Sequence, residues 1–586
     1  MLNHHRADLF GSALLCNRYG GKQMHHILKK LTTLLLLITV LASLAGCSSK
    51  VSGGGNKDKT TFPTEATPTN PTDRPETNLD KVYQNATAVT VGDHSISAVE
   101  LNYFYVDAIN TFYNNNYSYI NYMLNVKTPL NAQICDPTTG LTWADYFVQQ
   151  AYANIKSTYA LYDAAMENNY TLAEADQTAI NNIVTTLELY AVVNKYDSAD
   201  AYLQAEYGCG ANVDNYLAYY EKCVVASAYY AHYSQSLEYN AEDLFAYQQD
   251  KFYQFNSYTF ATYFLSVKDF YSQDAGTKDD NGKIFYTSEE TAAAVEAARR
   301  AAEALVHGNY ADLDAFDKAI YDLELSLESN QSSNTEDGKL KYRSTKNENV
   351  LYHSINSLYR DWVAGITTLD QNNSTPDFTV HQEGDLTFVE SSSGSGEKKV
   401  VNGFWVIRYG SSTDNDFAMK NVRHILVKFV KLDAQGNPIS NSSGGTGYTD
   451  KEKEYAKTEA GKLLKQWKEG DATEATFAEL ANKESDDGDG TTGGLYKNIY
   501  PGQMVEPFED WCFAEERKTG DVEIIETQFG YHIMYFVGDT EHTFRDYMIM
   551  ETMRNEDQKS WYDDLVAKIA FTSQTEEYIN KSMTME

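Results

Sequence analysis

Two histidines stand where an unbroken apolar run would be expected. His424 is at the centre of VRHILVKF and His532 at the centre of FGYHIMYF. An imidazole titrates near neutrality and offers two distinct ring nitrogens, so it serves as acid, base, metal ligand or paired hydrogen-bonding group. A buried histidine satisfied by a core partner would also fit either run. Other candidates lie nearby in the chain. Asp487 stands in SDD and Thr527 in IETQFG, while Met504 and Phe508 stand four apart in QMVEPF. In a helical turn that spacing puts both side chains on one face. Such a face is either core or the wall of an apolar socket. Several chemistries lack their signatures. The cysteines are scattered without a CxxC or a His/Cys cluster, so no zinc site is indicated. There is no HExxH and no GxSxG, GDGTTGG lacks the Lys-Ser/Thr of a phosphate loop, and its acids do not follow calcium-loop spacing.

The chain that must position these groups has 586 residues, enough for several domains. Hydrophobic residues make up 42% and aromatics 13%, with 45 tyrosines, so large cores can be buried. Net charge is −35, which excludes the basic face that nucleic acid requires and suits a soluble, self-repelling surface. From Met24 a basic patch at Lys29 and Lys30 precedes an apolar run, Leu31 to Ala45, of signal-peptide rather than membrane-span length. It ends in LAGC at Cys47. Of the six cysteines, Cys209 and Cys223 are the one disulfide candidate. Residues 48–80, rich in Ser, Thr, Pro and Gly, read as a tether spanning roughly 30 Å as a flexible coil.

Beyond the tether, residues 82–254 are helical in pattern. A hairpin at Gly92-Asp93 leads to a capping box of Ser97 with Glu100, and a second box, Thr171 with Glu174, opens another helix. A tyrosine-rich helix from Val213 to Leu237 would supply either core or a binding groove. Two later segments look like copies of one strand–helix–helix–strand unit. Thr287/Glu290 and Thr449/Glu452 are capping boxes 162 positions apart, and the same offset sets Thr262 against His424. NGFWVIRY matches FGYHIMYF, setting Trp405 against His532. The final stretch from Thr543 is helical and charged.

VRHILVKF, FAELANKESDDGDGTTGGLY, PGQMVEPFEDWCF and GDVEIIETQFGYHIMYF, in that order over about Asn421 to Gly538, resemble the parvulin family of peptidyl-prolyl cis–trans isomerases. The whole layout resembles exported PrsA-type and SurA-type foldases, and LAGC resembles a bacterial lipobox. The resemblance implies an α+β chain with a helical chaperone-like N-terminal domain (82–254), a degenerate parvulin-like domain (255–415), a parvulin domain (416–540) built on a small antiparallel sheet with helices, and a C-terminal helical segment (541–586). Signal peptide 24–47 and tether 48–80 would precede them, with Cys47 lipidated.

The chemistry that the family performs needs no cofactor. The C–N resonance of an X-Pro bond imposes a barrier of about 18–20 kcal/mol. A catalyst must bind the twisted amide better than either planar form. It needs an apolar grip on the ring and polar groups whose field favours the amide with its resonance broken. By resemblance, Met504 and Phe508 line the proline pocket with Tyr496 and Ile499. His424 and His532 lie side by side beneath it, Asp487 faces the substrate carbonyl, and Thr527 joins the same network. The chain reads GGLYKNIYPGQM where many parvulins read Gly-Gly-Asp-Leu-Gly, which alters the pocket wall. The implied partners are unfolded or newly exported polypeptides and, through the anchor, the extracytoplasmic face of a cell membrane; a homodimer is left open and nucleic acid is excluded. The competing reading is a non-catalytic holdase with a vestigial parvulin domain. A solute-binding lipoprotein would need alternating βαβ lobes, which the long helical run does not supply.

Overall fold

A computed structural model of the chain describes residues 78–585, apart from 250, 273, 328–334, 337–338, 369–376, 397–398, 440–446 and 489. The leader, Cys47 and the tether up to residue 77 lie outside the described residues. The chain forms two compact units, one joining the chain up to Glu238 with Arg554–Glu586, the other Tyr239–Met553. Among the described residues no helix is long and apolar enough to cross a membrane.

In the first unit, β1 (Thr87–Val91) and β2 (His94–Ser97) turn at Gly92, whose φ of 52° suits a residue without a Cβ. Phe571–Ser573 pairs on the other side of β1. Its helices include α1 (Ala98–Asn116), α2 (Trp143–Glu167), α3 (Glu174–Val193), α4 (Ala199–Tyr207) and α5 (Val213–Ser236). Ser97 accepts from the Glu100 amide as expected, but the Glu100 carboxylate is drawn to the Tyr159 hydroxyl and to Lys222.

Three expectations change here, and the structure decides a fourth question. Helix Asn78–Asn85 begins inside the segment read as tether, because buried Asp80 accepts from the Gly210 amide. Thr171 caps nothing; α3 starts after Ala173 without a side-chain cap. Cys209 and Cys223 are both free. The tyrosines Tyr216, Tyr219 and Tyr220 of α5 are wholly buried, so that stripe is core and not a groove. The hydroxyls of Tyr207 and Tyr219 donate to Asp107, whose burial raises its carboxyl to about 7.

In the second unit the first sheet has the order β4-β3-β6-β5, from β3 (Ser257–Ser266), β4 (Thr345–Leu351), β5 (Leu386–Ser393) and β6 (Val400–Thr413). Between β3 and β4 run α6 (Ser288–Val306) and α7 (Leu313–Ser326). The second sheet has the order β8-β7-β10-β9, from β7 (Ala418–Lys428), β8 (Leu495–Ile499), β9 (Val522–Glu526) and β10 (Gly530–Thr543). Here α8 (Asp450–Glu469) and α9 (Glu474–Glu484) run between β7 and β8, and α10 (Glu506–Phe513) follows β8. Both expected capping boxes are present, Thr287 with Glu290 and Thr449 with Glu452.

The ladders carry the same register. His424 faces Met534 and His532 faces Leu426, two residues further along β7. In the first sheet Thr262 faces Ile407 and Trp405 faces Phe264, again two further. Successive side chains of a strand alternate between faces. One face of the second sheet puts Ile425, Tyr531 and Ile533 against Ala456 and Ala460 of α8 and Phe477 of α9. The other puts Val422, Met534 and Phe536 against Phe508, Trp511 and Cys512 of α10. The histidines belong to this second face, so a short helix rather than a long one covers them.

Candidate active site

His424 and His532 are diagonal neighbours across the β7–β10 pair, close enough for side chains to meet. Their Nδ1 atoms are 3.0 Å apart, and the rings lie nearly parallel with centroids 5.2 Å apart. His424 and His532 are 3% and 5% exposed, so neither reaches water freely. His424 Nε2 stands 3.1 Å from Asp487 Oδ2, and His532 Nε2 stands 2.9 Å from the Thr527 hydroxyl. The Tyr496 hydroxyl donates to the same Asp487 oxygen at 2.8 Å, and the Phe529 amide donates to Thr527 at 3.2 Å. Met504 and Phe508 close the apolar side. Phe508 presents its edge to both imidazoles, with ring centroids 5.4 and 5.6 Å away and planes nearly perpendicular.

Burial lowers His532 to about 4, with His424 beside it acting the same way, so His532 is neutral near pH 7. Asp487 is held well below the usual carboxylate range, first by the hydrogen bond from His424 and also by Tyr496, against an opposing effect of burial. Tyr496 is raised to about 12 by burial and by its bond to Asp487. One continuous hydrogen-bonded arrangement satisfies every group. The Thr527 hydroxyl donates to His532 Nε2, His532 Nδ1–H donates to His424 Nδ1, and His424 Nε2–H donates to Asp487. Each imidazole thereby fixes the tautomer of the next. The chain ends on a carboxylate at the mouth of the site, its side chain 37% exposed.

Local backbone explains why the strands come this close. Gly494, at φ +64°, accepts from the His424 amide, and a Cβ there would stand 2.2 Å from the His424 carbonyl oxygen. Only glycine allows that approach. The network opens into a cleft of about 1270 Å³ lined on one side by Gln503, Met504, Val505 and Phe508, with His424, Asp487, Tyr496, Thr527 and His532 as its polar floor. Among the described residues no cluster of His, Cys, Asp and Glu is arranged to hold a metal.

Residues 406–539 match the family model of the PPIC-type PPIASE domain. This segment is a parvulin-type peptidyl-prolyl isomerase domain. The match begins inside β6, a strand of the preceding sheet, whereas the domain's own sheet begins at Ala418. No curated protein matches the chain. Similar solved structures include the peptidyl-prolyl isomerase PrsA of Bacillus anthracis, 21% identical, covering 26% of this chain and 59% of that one at a TM-score of 0.16. PrsA of Bacillus subtilis is 22% identical, covering 25% and 49% at 0.17. A SurA-like chaperone of Campylobacter jejuni is 21% identical, covering 26% and 51% at 0.15. The chain thus spans about half the length of the structures it matches.

Of the residues singled out from sequence, His424, Asp487, Met504, Phe508, Tyr496, Thr527 and His532 converge on the isomerase domain's cleft. Ile499 does not line it. It is wholly buried beneath Phe508 with Val422 and Trp511, because it faces the core at the end of β8. Tyr496 does more than form wall, since its hydroxyl holds Asp487. Sequence reasoning missed Gln503 and Phe529 at the cleft and the approach permitted by Gly494. The GG of TTGGLY was the available signal for the last.

Proposed function

We propose that the chain is an extracytoplasmic, membrane-anchored foldase that isomerises X-Pro bonds in exported polypeptides. The observation that carries this reading is the Thr527–His532–His424–Asp487 chain lying beneath the Met504–Phe508 wall, within a parvulin-type domain. A proline ring fits the apolar wall. As the amide twists, its nitrogen gains a lone pair and its carbonyl loses double-bond delocalisation. The polar floor, with its two imidazoles shielded from water, favours that state without reorganising during the turn. The reaction breaks no covalent bond, so the histidines orient the site and need not transfer a proton. Phe508 against both rings holds the pocket and the network in one geometry.

The first sheet of the second unit is, in this reading, a degenerate relative that binds or braces without catalysis. Anchoring rests on the leader ending at LAGC: lipidation of Cys47 would place the protein at the membrane's outer face. Clients with little folded structure suit an acidic, soluble body. Cys47→Ser should then move the protein out of the detergent phase on phase partitioning, and unchanged partitioning would refute the anchor. Catalysis is tested by a proline-tetrapeptide assay on the chain from Lys50. Acceleration above the uncatalysed rate supports the isomerase; none, with client aggregation still suppressed, favours the holdase alternative.

A further inference from the structure

A second cavity, of about 550 Å³, is built entirely from residues of the first unit. Its size is within the ~300–1,000 Å³ usual for small-molecule sites. One wall is α1, whose Asn102, Tyr105, Val106, Ile109 and Asn110 follow at helical spacing and so form a single stripe. Tyr207 and Cys209, at and just beyond the end of α4, form another, and the segment from Tyr578 to Met585 closes a third side. Main-chain bonds hold that segment in place. The Leu130 amide donates to the Met583 carbonyl at 3.0 Å, and the Met585 amide donates to the Val126 carbonyl at 3.0 Å.

The α1 stripe carries unused hydrogen-bonding capacity. Asn102 is 5% exposed, and its Nδ2 donates to the Tyr578 carbonyl at 3.3 Å. Its Oδ1 accepts from no group among the described residues. Tyr105, three residues on and 1% exposed, has a hydroxyl without a hydrogen-bond partner among the described residues. A buried polar group left unpaired costs about 1–3 kcal/mol. Two such groups on one stripe, beside a cavity, mark a place suited to a ligand that brings hydrogen bonds of its own.

The lining narrows the chemistry of that ligand. Among the described residues no lysine, arginine or histidine borders the cavity, so an anion finds no counter-charge there. Asparagine amides and the hydroxyls of tyrosine, serine and threonine predominate among its polar groups, too polar a surface for a lipid tail. Amides and hydroxyls both donate and accept, which matches a ligand whose own groups do both, as alcohols do. Tyrosine rings add flat apolar faces, and Tyr83 and Tyr578 meet edge to face with centroids 5.0 Å apart. A pyranose combines these properties, with hydroxyls around its rim and C–H groups on its faces. We propose that this cavity binds a neutral saccharide, with Asn102 as the principal hydrogen-bonding residue. The assignment is independent of the isomerase reading, since no residue of the prolyl cleft takes part in it.

The test is isothermal titration of the full chain, purified in a detergent without a sugar headgroup, with maltotriose, triacetylchitotriose, spermidine and citrate. One or both trisaccharides should bind saturably at a single site, and the polyamine and the anion should not. Asn102→Leu nearly keeps the side-chain volume and should weaken that binding roughly threefold to tenfold, the scale of one hydrogen bond. Ala205 borders the cavity from an exposed position on α4, so Ala205→Trp should block the site while circular dichroism and the melting temperature show an intact fold. Coupling the bound trisaccharide to agarose through its reducing end separates two sources of the same chemistry. Retention of the chain on that resin identifies a polymeric glycan, and binding of the free sugar alone identifies a soluble saccharide; either supports the site. No binding of either trisaccharide at millimolar concentration, saturable binding of spermidine or citrate in their place, or sugar affinity unchanged in either folded variant would overturn it.

Discussion

The two sheets of the second unit share strand order and ladder register, yet the face beside their short helix is put to different use. In the second sheet that face holds His424, His532 and an open cleft. In the first, Thr262 and Trp405 take the two histidine positions. Val350 faces Tyr258 as Ile499 faces Lys420, and the same chain offset sets Ile355 against Met504 and Tyr359 against Phe508. So the first sheet does possess an apolar pair four apart, but Ile355 and Tyr359 are buried with Phe260, Ile407 and Tyr409. Trp405 packs on Phe264 and Tyr359, with ring centroids 4.8 and 6.0 Å away. Where an indole fills the place of an imidazole, the same backbone yields packing. A site therefore depends less on the fold than on what two or three strand positions leave unfilled.

That contrast can be broken or sharpened by experiment. The largest effect is expected in the first sheet, on stability alone. Tyr359→Ala should destabilise the second unit by roughly 3 kcal/mol through cavity formation, with kcat/KM unchanged well below the melting temperature; lost activity in the folded variant would mean that the first sheet contributes to catalysis. Next comes acid. The folded state lowers His532 from 6.5 to about 4, a depressed value, so its contribution to stability is present above pH 6.5 and is lost as pH falls through 4. At full extent this amounts to roughly 3 kcal/mol. Thermal melts of wild type and His532→Phe between pH 7.5 and 4 should show a steeper decline in wild type. A third test removes the charge at the end of the network: Asp487→Asn should lower kcat/KM about tenfold to a hundredfold while the melting temperature changes little. The smallest effect belongs to Tyr496→Phe, which removes one donor to Asp487 and should cost roughly threefold to tenfold in kcat/KM.

The second sheet was more legible in sequence than the first for a physical reason. Polar residues inside apolar strands are conspicuous, and His424 and His532 are conspicuous in this way, while their convergence with Thr527 was implied only by the parvulin resemblance. Capping boxes at Thr287 and Thr449 marked their helices because those motifs are local. Ile355 and Tyr359 were not legible as a pair, since an apolar couple in HSINSLYRDW looks like any core segment and only the ladder register equates it with Met504 and Phe508. Ile499 was misplaced for a related reason: period-two alternation decides which face it takes, and the turn before β8 sets the phase. The Thr171 box failed because a matching spacing does not ensure that the helix starts there. Composition left the α5 tyrosines as either core or groove, because tyrosine buries as readily as it binds when its hydroxyl finds a partner such as Asp107.

The central claim is that the cleft of the second sheet alone turns the prolyl bond. The most direct test is the rate of cis–trans exchange in a proline tetrapeptide, measured by NMR exchange spectroscopy with the chain from Lys50 and its Met504→Ala/Phe508→Ala variant, folding being checked by circular dichroism. The account predicts exchange well above the uncatalysed rate with wild type and a loss of about a hundredfold or more in kcat/KM with the folded variant. Catalysis retained by that folded variant would contradict it, because no other wall is then available to grip the ring beside His424.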